Sequence, residues 1–107
     1  MNEILDQTEA LQNLLISQAT GGSEDDAEYV RLRQMMLSNA ALDPLLPRFL
    51  RTCRNLSQFW QFIKFKYGTY AERRDYIWGE FNPMLEAIER GALAPSDAIV
   101  SQKLEKF

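Results

Sequence analysis

The chain has 107 residues, 46% of them hydrophobic and 25% charged, with a formal net charge of -3, which suits one small domain around a single core. It contains no histidine, so Ser-His-Asp and Cys-His catalysis and any histidine-dependent ribonuclease chemistry are excluded within it. A lone cysteine, Cys53, excludes an internal disulfide and, without histidine beside it, nearly every common zinc, iron or copper site.

A reduced, cytoplasmic protein with no metal and no cofactor is therefore expected. No apolar run approaches the roughly 20 residues of a membrane span, and the opening "MNEILDQTEA" is acidic where a signal peptide is basic. Charge is unevenly spread. Residues 1–47 hold eight acids against Arg31 and Arg33, a balance of -6, whereas residues 48–78 hold seven bases against Glu72 and Asp75, a balance of +5. Such a basic segment either meets an anionic partner, pairs with the acidic first third, or is simply solvated.

β-branched residues are sparse and no period-2 alternation persists, which predicts an all-α fold, a compact bundle of about five to six short helices with a kinked longest helix. A first helix over residues 2–17 places Ile4, Leu11, Leu14 and Leu15 at helical spacing, and "TGG" at Thr20 to Gly22 stops it. Residues 1–22 read as this helix plus a Gly-Gly linker, residues 23–92 as a helical core domain, and residues 93–107 as a C-terminal helix or a linker to a missing domain. Ser23 is the expected N-cap of the second helix, with Glu24, Asp25 and Asp26 in its first turn and Tyr29, Leu32 and Met36 as its apolar line. Asp43 and Pro44 suit the start of a third, whose buried face is Leu46, Phe49, Leu50 and Cys53, with Arg48, Arg51 and Arg54 opposite.

A fourth helix begins near Asn55, where "NLSQ" can form a capping box, and ends before Gly68. Leu56, Phe59, Trp60, Ile63 and Tyr67 form its stripe, and Phe62 and Phe65 point away. "TYAE" at Thr69 to Glu72 is a capping box that restarts the chain as the longest helix, with Ile77, Trp78, Phe81, Leu85 and Ile88 inward and a kink or short break expected over residues 79–83. Arg90 and Gly91 close it. A last short helix capped by Ser96 or Asp97 would carry Ile99, Val100 and Leu104.

The segment "QFWQFIKFKYGTYAERRDYIW", Gln58 to Trp78, interleaves aromatics with bases, the pattern of single-strand nucleic-acid surfaces. Helical projection instead sends Phe59, Trp60, Trp78 and Phe81 inward with aliphatic neighbours. Tyr76 projects with Arg73 and Glu80 on the polar face, and Arg74, on the apolar stripe, reads as an internal clamp. The outward patch for nucleic acid or another partner is then Arg48, Arg51, Arg54, Lys64, Lys66, Arg73 and Tyr76. The acidic run "SEDDAE" lacks the alternating oxygens and turn glycine of a calcium loop and reads as helix-start charge. No catalytic residue, cofactor site or metal ligand is assigned.

Residues 45–89, through "LPRFLRTCR", "LSQFWQFIK" and the Tyr70 to Leu85 pattern "YAERR..I...F.P.L", resemble the N-terminal region of bacterial abortive-infection family proteins, which defend cells against phage. "APSDAIVSQKL" at Ala94 to Leu104 resembles the passage into that family's C-terminal domain. The resemblance implies a non-enzymatic helical regulatory or protein-interaction module of an antiphage defence protein. Effector chemistry would lie in the C-terminal domain, and no catalytic residue carries over. The partner is then another protein or the chain's own C-terminal effector domain, with self-association open; a nucleic-acid-binding helical domain using the basic patch is the alternative.

Overall fold

The computed structural model describes residues 3–91, in which six helical segments and no strand occur. The expected C-terminal helix or linker over residues 93–107 lies outside the described residues. Helix α1 spans Glu3–Ala19 and ends at a backbone reversal that only glycine suits. Gly21 has φ +99°, and a Cβ on Gly22 would sit 2.2 Å from the Ser17 hydroxyl oxygen and 2.8 Å from its carbonyl oxygen.

Helix α2 spans Asp26–Leu37, and its N-cap is Asp25, not Ser23: the Asp25 carboxylate accepts from the Ala27 N–H at 3.1 Å. The start is delayed because residue 24 is tied back to α1. The Ser17 hydroxyl donates to the Glu24 carboxylate, and the Glu24 N–H donates to the Gln18 side chain at 3.1 Å.

The single third helix expected from Asp43 is two pieces. A 3₁₀ segment, Ala40–Leu45, is capped by Asn39, and a five-residue helix α3, Arg48–Thr52, follows. Pro47 explains the division, since the residue before a proline is driven out of the helical region, and Leu46 has ψ 135°. So short a helix needs outside support. Arg33 of α2 supplies it by donating to the carbonyls of Leu50 (2.7 Å) and Arg51 (3.2 Å), while the Tyr29 hydroxyl donates to the Cys53 carbonyl.

Helix α4 spans Leu56–Lys66, with Asn55 accepting from the Gln58 N–H at 2.9 Å. The reciprocal half of the expected box is displaced, because the Gln58 side chain accepts from the Arg54 N–H instead. Helix α5 spans Tyr70–Glu89 behind the full Thr69/Glu72 capping box. No break occurs over residues 79–83: the helix continues through Pro83. The Gly79 carbonyl, which loses its usual donor to Pro83, belongs to an exposed residue where water can replace that donor. Arg90 is the C-cap and Gly91, at φ +65°, ends the helix.

The buried side of α5 is rotated from the expected stripe by about half a residue, or roughly 50°. Arg73, Ile77, Phe81, Met84 and Ile88 face inward, whereas Trp78 is 48% exposed. The clamp is accordingly Arg73 rather than Arg74. Arg73 is 8% exposed and donates to the carbonyls of Tyr67 (2.9 Å) and Ala19 (3.1 Å), tying the end of α1 to the start of α5. Arg74 is half-buried and stacks on Trp78, 5.5 Å from the ring centre.

Two other aromatics change place. Phe62 does not point away but stacks on Phe49 at 5.6 Å, and Trp60 is only half-buried. Helix α1 packs most extensively on α5, and because Ala19 meets Arg73 the two run antiparallel. Leu11, Leu15, Tyr29, Phe59, Ile77 and Phe81 belong to the same core, so α1 shares it with the helices that follow.

Candidate interaction surface

The last turn of α4 carries Lys64, Phe65 and Lys66. Leu56, Phe59 and Ile63 occupy the buried side of the helix, and Gly68 and the Thr69 box stop it one residue past Lys66. Phe65 is left outward, 79% exposed. The Lys64 ammonium lies 5.2 Å from the Phe65 ring and 5.9 Å from that of Trp60. Lys66 lies 5.4 Å from the Tyr76 ring, 5.7 Å from Tyr67 and 5.9 Å from Phe62. The Phe62, Tyr67 and Tyr76 rings continue inward through Phe49 and Phe59, so Lys66 borders an aromatic cluster. Tyr76 belongs to that cluster and not to the polar face. Its pKa is pushed up to about 12 by burial, then by Glu80, and its hydroxyl stays protonated.

The seven patch residues are not brought together as one surface. Arg48 and Arg54 are exposed, and Arg51 is exposed but paired with Asp43 at 2.8 Å. Arg73 is withdrawn from the patch: its guanidinium is buried between Trp60 (5.2 Å) and Tyr70 (5.7 Å) and engaged by two backbone carbonyls. Among the described residues the ion pairs are Arg51–Asp43 and Arg31–Glu28. The basic middle therefore pairs with the acidic first third only through Arg51, and Arg48, Arg54, Lys64 and Lys66 have no carboxylate partner among the described residues.

The acids fall into two groups. Those at the start of α2 are engaged internally: Glu24 holds Ser17, Asp25 caps α2, Asp26 accepts from the Leu56 N–H at 2.7 Å, and Glu28 pairs with Arg31 at 2.7 Å. The Glu28 carboxyl is accordingly held below its ordinary range by the Arg31 hydrogen bond. Glu3, Asp6 and Glu9 lie exposed on α1 with no ion pair among the described residues. Sequence reasoning missed Asp26 and Arg33, which join distant elements. Their only local signal was a charge on a helix whose other charges, Glu28 and Arg31, pair with each other.

Two open clefts flank Trp60. One, about 410 Å³, is lined by Gln18, Glu24, Asp26, Asn55 and Ser57 among others; the second, about 280 Å³, by Gln18, Gly21, Gly22 and Tyr70. Glu24 and Asp26 are the carboxylates there, and both are already hydrogen-bonded. Cys53 is buried as expected, and burial raises its pKa, so the thiol stays protonated. No group of three or more side chains suited to holding a metal ion occurs among the described residues, and no helix there is long and apolar enough to cross a membrane. Comparison with protein-family models, curated proteins and solved structures finds no match.

Proposed function

We propose that this chain is a non-enzymatic, all-α protein-interaction module of an abortive-infection antiphage defence protein, and that the last turn of α4 is its contact surface. The observation that carries the reading is the exposed Phe65 between Lys64 and Lys66, bases with no carboxylate partner among the described residues, beside an aromatic cluster. Exposed aromatics beside unneutralised cations are what an interaction surface presents. The lack of histidine, the protonated thiol and the absence of a convergent acid-base pair in the clefts support a non-catalytic role. The defence setting is supported by the resemblance of residues 45–89.

The test is a phage challenge of bacteria carrying the intact gene, against a variant with Lys64→Glu, Phe65→Ala and Lys66→Glu together. All three side chains lie at or near the surface, so thermal stability is expected to change little. Protection is expected from the wild type and its loss from the variant. Full protection by a well-folded variant overturns the contact surface, and absence of protection by the wild type overturns the setting.

A nucleic-acid reading is favoured by one observation, the exposure of Phe65 at 79% and of Trp78, beside Arg74, at 48%, which leaves ring surface open to stacking. It requires oligonucleotide retention that falls steeply between about 50 and about 200 mM salt.

A further inference from the structure

Resting on the interaction-module reading, we infer that the partner at the last turn of α4 is the outer face of α1 in a second copy of this chain. Both charge sets are visible in one molecule, and among the described residues neither has an ion-pair partner. Lys64 and Lys66 have no carboxylate partner, and neither Glu3, Asp6 nor Glu9 has a basic one among the described residues. Glu24, Asp25, Asp26 and Glu28, at the start of α2, are engaged in caps and pairs and do not compete.

The two sets cannot meet within one copy. Ala19, at the far end of α1, is the residue that touches the start of α5 beside α4. With 1.5 Å of rise per residue, Glu9, Asp6 and Glu3 lie about 15, 20 and 24 Å further along the antiparallel α1, beyond the screening length of about 8 to 10 Å at ordinary salt. At about 3.6 residues per turn, Glu3, Asp6, Glu9 and Ala10 share one side of α1, and all are exposed. Ala10 is the small exposed residue among these carboxylates, and Phe65 is the exposed ring of the lysine turn that would pack on it.

Polyanionic nucleic acid fits this site less well. The chain is acidic overall, and one exposed ring with two lysines is a small footprint for phosphates. A contact between two different patches is heterologous, so copies add head to tail, into rings where the rotation closes and into open chains where it does not.

The experiment is sedimentation of the full chain up to about 1 mM, a range that reaches weak interfaces, at about 0.1 M and about 1 M salt, where screening tightens from about 10 to about 3 Å. Mass is expected to rise with concentration beyond a dimer at low salt and to return to monomer at high salt. Lys64→Glu with Lys66→Glu, and separately Glu3→Lys with Asp6→Lys and Glu9→Lys, should each be monomeric, and an equimolar mixture of the two variants should associate again. That rescue also shows that both variants fold. A wild type that stays monomeric at low salt overturns the inference, as does association that neither variant weakens. A monomer that retains an RNA or DNA oligomer overturns it and the protein-interaction reading together. A monomer whose phage protection is lost in the α4 variant overturns self-association alone.

Discussion

The start of α2 and the last turn of α4 are both dense in charge, and they use it in opposite ways. At the start of α2 every carboxylate from Glu24 to Glu28 has an internal role: one joins the chain to α1, one caps its own helix, one receives the first N–H of α4, and one pairs along the helix. At the last turn of α4 the lysines lie over ring faces with no ion pair among the described residues, and Phe65 between them is mostly exposed. Local charge density thus says little about function; what separates a structural cluster from an interaction surface is whether the fold supplies partners. Carboxylates near helix starts meet N–H groups that need acceptors, whereas ammonium groups at a helix end meet carbonyls that the next turn and water can satisfy.

The largest test of that contrast sits one turn into α5. Arg73 is a cation engaged by two backbone carbonyls and Arg74 a half-buried one stacked on a ring, adjacent in sequence. Arg73→Ala removes two charge-assisted hydrogen bonds and leaves the carbonyls of Ala19 and Tyr67 wanting donors, a loss of about 3 kcal/mol or more in urea unfolding. Arg74→Ala removes only stacking on Trp78, worth under about 1 kcal/mol. Equal costs would erase the distinction, and the reverse order would restore the face of α5 expected from sequence.

Tyr29 gives a smaller effect with a pH signature. Its buried hydroxyl holds the Cys53 carbonyl, so Tyr29→Phe should cost about 1 to 3 kcal/mol at neutral pH. Desolvation raises the folded-state pKa of Tyr29 above its ordinary 10.0. The unfolded chain therefore releases this proton first, and the stability is fully present below about pH 10 and declines as pH rises beyond it toward the raised folded value. Thermal unfolding of the wild type between pH 9 and 11 should show the decline, and Tyr29→Phe should show a shallower one; parallel curves would detach the hydroxyl from the core.

Much of the architecture was legible in the residues. Gly21 and Gly22 ended α1, the Thr69 and Glu72 box began α5, and Cys53 followed its apolar neighbours into the core, because each signal is local and its physics acts within one turn. The failures were rotational or long-range. Trp78 and Arg73 exchanged places because hydropathy favours burying an indole, while a guanidinium can be buried wherever two carbonyls wait; the Ala19 carbonyl is 54 residues away in sequence and announces nothing. Pro47 split the third helix through the restriction it places on Leu46. The lysines of the α4 surface were legible by type, but their freedom from partners was not, since pairing with the acidic first third is equally consistent with composition.

The smallest effects return to the two charge clusters. Asp26 accepts from the Leu56 N–H at 2.7 Å, acting across 30 residues as a cap for the first turn of α4. Asp26→Ala leaves that donor to water at a half-shielded position and should cost about 1 kcal/mol, the usual worth of an N-terminal cap. Lys66→Ala removes a base that holds no hydrogen bond and should lie within about 0.5 kcal/mol of wild type. The pair is best measured in parallel by urea unfolding at two salt concentrations. The Asp26 effect should persist at high salt because the hydrogen bond is short-ranged, while any Lys66 effect should vanish with screening. A Lys66 cost that matches that of Asp26 and survives salt would mean that the last turn of α4 holds the fold together, and that its charge is not left over for a partner.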